Sequence, residues 1–178
     1  MNIDLEFDDT KQFAMRIATM IESHLIWYKH YFPWCDVMIA QLDAPPRWIV
    51  ELSTIKYIPN AVAEIRSYKK EQCDISNLAP NADEYIACLL LRNRIGAISW
   101  ATFLADAGMY ADCSDGSNDP EYFYTHLNKF EDSEYDSELC SKQCAEIAAE
   151  YKSQTDVIDP LFKIFQQFFR EFIRKNGG

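Results

Sequence analysis

Glycine interrupts this chain at only three internal positions, Gly96, Gly108 and Gly116; the other two glycines are its last two residues. A β-rich fold of 178 residues needs far more turn glycines than that. No clean alternation of apolar and polar residues survives six positions, and the β-branched residues are scattered. What remains is a helical pattern, punctuated by proline and by capping residues.

Asp8 or Asp9 is placed to cap a long first helix, with Phe13, Ile17, Met20, Ile21, Ile26 and Trp27 at three- and four-residue spacing and Pro33 as its stop. A weakly marked helix begins near Val37. Pro45 and Pro46 suit the first turn of a helix carrying Trp48, Ile49 and Leu52, and Pro59 starts another with Val62, Ile65 and Tyr68. Asn81 caps a helix that Gly96 ends; Ser99 caps one that Gly108 ends. Asp119-Pro120-Glu121 opens a helix through Phe130, Ser133 or Ser137 the next, and Asp159-Pro160 the last. The expectation is an all-α, single-domain bundle of about seven or eight helices spanning residues 1–178. Its core is expected at Phe13, Ile17, Ile21, Trp48, Leu52, Ile65, Ile86, Leu89, Leu90, Trp100, Leu104, Phe123, Leu127, Ile147, Phe165, Phe168 and Phe172.

The last helix is unusually apolar: Leu161, Phe165, Phe168 and Phe172 form one stripe, which Phe162, Phe169 and Ile173 extend round the helix. A central helix packed on two sides accounts for that. The sharper reading makes part of this face a homodimer or partner contact.

Hydrophobic residues make up 48% of the chain, enough for a real core, so the net charge of −11 does not mark a disordered acidic tail. That charge argues against direct binding to nucleic acid or anionic membrane surfaces, where Lys and Arg supply most of the affinity. The first residues, 1–9, are acidic and lack the apolar core of a secretory signal, and the longest apolar run, residues 85–91, is far too short to span a bilayer. A cytoplasmic protein is expected, and its six cysteines are then reduced thiols.

Catalytic signatures are missing. The sequence has no glycine-rich phosphate loop, no G-x-S-x-G and no H-E-x-x-H. Residues 112–122 resemble a calcium loop in composition, but with Gly116 at the sixth position the first falls on Ala111 and the twelfth on Tyr122. Cys140 and Cys144 share a helix face and could join Cys113 and His126 around zinc, yet the spacing matches no usual zinc motif. His24, among Ile21, Leu25, Trp27 and Tyr28, reads as a hydrogen-bonded core or boundary residue, and neither it nor His30 or His126 is assigned a catalytic role. No catalytic residue, no metal and no cofactor is assigned.

The acids are unevenly placed. Nine fall within residues 112–138: Asp112, Asp115, Asp119, Glu121, Glu131, Asp132, Glu134, Asp136 and Glu138. Lys129 is the only basic residue there, so this stretch carries −8. Tyr122, Tyr124 and Tyr135 lie within it. Aromatic anchors beside carboxylates suit recognition of a basic protein, because rings bury area while acids steer and pair with Lys and Arg. The plainer account is a solubilising surface whose acids cap helices.

In size, charge and lack of catalytic motifs the chain is similar, at class level, to bacterial immunity proteins of polymorphic and contact-dependent toxin systems. That similarity implies an inhibitor that occludes the basic cleft of a nuclease-type toxin or effector domain. Three other readings stand beside it. One is a nucleic-acid mimic that blocks a DNA-binding machine; another is a small helical metal-dependent hydrolase; the last is a helical adaptor that dimerises through its final helix.

Overall fold

A computed structural model describes residues 11–70 (68–70 by backbone alone), 82–114, 117 and 119–176. The expected caps Asp8, Asp9 and Asn81, the Tyr68 side chain, Cys73, Asp115 and Gly116 lie outside the described residues. The fold is all-α, with nine helices and no strand among the described residues: α1 (Lys11–Glu22), α2 (Tyr28–Gln41), α3 (Arg47–Leu52), α4 (Ile58–Lys70), α5 (Ala82–Arg94), α6 (Trp100–Asp112), α7 (Pro120–Asp132), α8 (Ser137–Glu150) and α9 (Lys152–Asn176). The contacts divide the chain into two compact units. One comprises Met1–Asn77 with Phe165–Gly178, the other Leu78–Ile164.

In the first unit α1 packs on α4, and α3 on both α2 and α4. Its core is aromatic: the Trp34 ring lies 5.9 Å from Trp48 and 5.4 Å from Phe165. The buried Tyr31 hydroxyl donates to the Ile55 carbonyl at 2.6 Å, and Arg66 on α4 meets Glu22 on α1 at 2.6 Å.

Two features of this unit correct the sequence reading. The first helix does not run on to Pro33; it ends at Glu22. His24 takes a left-handed φ of 60°, and the His24 and Leu25 N–H groups return to the Ile21 and Met20 carbonyls. This is a Schellman stop with histidine where glycine is usual. It also brings Leu25, which lies beyond the helix, into the core. Pro33 then sits inside α2, because Tyr31, Trp34, Cys35 and Met38 on either side of it are buried. Burying that face outweighs the one hydrogen bond proline deletes.

In the second unit α6 packs on α5 and α7, and α7 on α8. Its core includes Ile86, Leu89, Trp100, Phe103, Leu104, Phe123 and Ile147. Gly96 ends α5 as expected, with φ of 74° and the same pair of returning hydrogen bonds. Ser99 caps α6 by accepting from the Thr102 N–H.

Gly108 does not end α6, which continues to Asp112. It lies buried where the Tyr124 ring of α7 crosses. Nor does Pro160 begin α9: the helix starts at Lys152, and its buried positions Thr155, Ile158, Phe162, Phe165 and Phe168 run straight past the exposed proline. Of the expected core residues, Leu127 and Phe172 are only half-buried; the others are buried. On the apolar last helix the exposed end of the stripe is Ile173.

Candidate partner-binding face

The second unit holds sixteen acids against six Lys and Arg, a net of −10, and leaves the first unit at −1. The charge is therefore a property of one unit, and α7 and α8 carry most of the exposed acids.

Asp112 is exposed at the C-terminal end of α6. Asp119 is the N-cap of α7, accepting the Glu121 N–H at 2.9 Å, and Glu121 is exposed in the first turn. Between them the Ser117 N–H donates to Asp83 on α5 at 2.9 Å. Asp136 is the N-cap of α8, accepting the Leu139 N–H at 2.7 Å, and Glu138 is exposed in the turn that follows. Asp136, and neither Ser133 nor Ser137, is therefore the capping residue. Aspartate at an N-cap and glutamate two residues on, within the first turn, both complement the positive helix end, so four of the acids also hold helix starts.

The corner between α7 and α8 is the most sharply defined part of the face. Glu134 and Tyr135 both take left-handed backbone conformations, with φ of 55° and 65°. The Glu134 and Tyr135 N–H groups return to the Glu131 and Phe130 carbonyls. The Ser133 hydroxyl donates to the Phe130 carbonyl and accepts the Asp136 N–H. The Tyr135 ring meets Phe130 edge-on at 5.3 Å, the apolar contact that completes a Schellman motif. The outcome is a tight turn with Glu131, Asp132, Glu134, Asp136 and Glu138 all exposed and Tyr135 60% exposed at its centre.

The three tyrosines are not equivalent. Tyr124 is half-buried with its ring against Gly108. Tyr122 is also half-buried. Burial, and next the Glu150 carboxylate beside it, hold its hydroxyl well above the usual phenol range. Tyr135 alone offers most of its ring to solvent.

Beneath this face lies a polar bridge that the sequence reading did not single out. The Trp100 Nε1–H on α6 donates to Gln143 Oε1 at 2.9 Å, and Gln143 Nε2 donates to the His126 carbonyl on α7 at 2.9 Å. Gln143 is buried on α8 and so ties three helices together. The His126 ring sits 4.6 Å from that of Tyr122, with its Nδ1 against the Tyr122 carbonyl at 2.8 Å and its Nε2 3.9 Å from Glu146. The exposed Glu146 and Glu150 thus continue the acidic surface along α8. The available signal was spacing along α8: Gln143 stands three residues before Glu146 and four before Ile147, and Glu150 stands four after Glu146 and three after Ile147. No group of three or more His, Cys, Asp or Glu gathers as a metal site among the described residues. No helix among them is long and apolar enough to cross a membrane. Comparison with protein-family models, curated proteins and solved structures gave no match.

Proposed function

We propose that the chain is a protein-binding inhibitor of the immunity type. In this reading it neutralises a basic, nuclease-type toxin in the cytoplasm by seating its acidic unit in the toxin's active cleft, and it acts by binding alone. The observation that carries the reading is the α7–α8 corner. Five exposed carboxylates surround one exposed tyrosine there, on a turn held by two returning backbone hydrogen bonds. A nuclease cleft must attract phosphate and is therefore positive. Opposed charge speeds encounter and discriminates against wrong partners, while a rigid ring supplies buried area at small entropic cost.

The acids that double as caps do not weaken this reading. A carboxylate accepting one backbone N–H keeps lone pairs for a partner's Arg or Lys. Held on a helix start, it also loses little freedom on binding.

The test is affinity purification of the intact chain from its native cells, followed by identification and assay of what is retained at moderate salt. The expected result is a stoichiometric basic protein whose nuclease activity is blocked by the chain and restored on dissociation. A retained partner that is acidic, or one bound with its activity unaffected, would contradict the proposal.

A further inference from the structure

We propose that Cys140 and Cys144 on α8 form a two-coordinate site for a soft monovalent metal ion of the copper(I) class. The two residues stand four apart on one continuous helix, so their side chains share a face with Cβ atoms about 5–6 Å apart. Both are free thiols, both are partly exposed, and both pack against the apolar core of the second unit.

That separation selects among the things a thiol pair can do. A disulfide needs Cβ atoms roughly 3.5–4.5 Å apart, so closing one here would unwind a turn of α8. Inserting an ion lengthens the link. With metal–thiolate bonds of about 2.3 Å, a linear S–metal–S unit spans roughly 4.5 Å between sulfurs, which an intact helix allows. Tetrahedral zinc would need two further ligands, and among the described residues no third His, Cys, Asp or Glu joins the pair. Two sulfurs alone on an apolar floor suit a soft ion that is content with two ligands.

The step is a ligand exchange without redox. Two S–H bonds and the ion's bonds to its donor ligand break, two metal–sulfur bonds form, two protons pass to buffer, the donor ligand leaves to solution and the ion stays monovalent. Binding therefore tightens as pH rises.

The experiment is an anaerobic titration of the full reduced chain with copper(I), in competition with a chromogenic copper(I) chelator. One equivalent is expected to be drawn from the chelator by the parent and by Cys113→Ser. Uptake should fall at least tenfold in Cys140→Ser and in Cys144→Ser. Alkylation mapped by mass spectrometry supplies a readout that needs no variant: bound copper(I) should shield Cys140 and Cys144 together while Cys113 stays reactive. Uptake unchanged in both serine variants, shielding that falls elsewhere, or a parent chain that takes no copper(I) from the chelator would each overturn the proposal.

Discussion

The Tyr124 ring lies so close to the Gly108 backbone that a Cβ at position 108 would sit 2.7 Å from its Cε1 atom. Gly108 is therefore what lets α7 approach α6. Two effects oppose each other in Gly108→Ala: alanine favours the helix by about 1 kcal/mol, while overpacking costs typically 1–3 kcal/mol. With backbone on one side and a half-buried ring on the other, the clash is expected to win, for a net loss of about 1 kcal/mol in urea denaturation. Placed in a Tyr124→Ala background, the same substitution should become stabilising. A parent-background Gly108→Ala that stabilises would show that the ring yields freely.

Glu134 occupies a left-handed position that glycine adopts without strain. Glu134→Gly should therefore stabilise the chain by about 0.5–1 kcal/mol, seen as a raised urea midpoint. The same substitution removes one acid from the proposed face. Greater stability combined with weaker partner binding would separate the two roles of this corner.

Gln143 satisfies a donor on Trp100 and an acceptor on His126 at once. In Gln143→Leu the Trp100 N–H is left buried without its acceptor, while the His126 carbonyl keeps its backbone donor within α7, so a loss of roughly 1–3 kcal/mol is expected. A loss below 0.5 kcal/mol, on the order of a surface substitution, would mean that water reaches the Trp100 N–H.

Burial pushes the His30 imidazole down from 6.5 to about 4, with a backbone contact to Trp27 acting the other way. Its Nδ1 accepts the Trp27 N–H at 3.3 Å, and its ring stacks on Phe169 at 4.5 Å. Between pH 6.5 and 4 the unfolded chain binds the proton and the folded chain does not. Stability should thus fall as pH drops through that window, by up to about 3 kcal/mol, and level off below it. Urea midpoints of the parent and of His30→Gln, compared from pH 7 to 4, isolate this contribution from the carboxylates. Parallel curves would contradict it.

The sequence made the helices legible where local chemistry decides: Ser99, Asp119-Pro120 and Gly96 act as their types suggest. It misled wherever tertiary burial overrode a local signal. Pro33 and Pro160 sit inside helices because the apolar positions around them are buried, and Gly108 serves a close crossing rather than a stop. The stop at His24 was hidden because histidine rarely takes a left-handed conformation and the apolar spacing runs on past it. The acidic stretch was plain in composition. Its division into capping acids and the exposed corner was not, because that depends on which N–H each carboxylate meets. Gln143 escaped notice because glutamine is ordinarily a surface residue and only burial gives it meaning.

The proposed function requires that the α7–α8 corner bind a basic partner. Glu131→Lys, Asp132→Lys and Glu134→Lys combined reverse three exposed acids and leave the Asp136 cap of α8 in place. The direct measurement is a titration of this folded variant and of the parent against the purified partner at two salt concentrations. Affinity is expected to be at least tenfold lower for the variant, mainly through slower association, with a weaker dependence on salt. Affinity within about a factor of two of the parent's, below the roughly 1 kcal/mol that marks a contributing interface residue, would contradict it.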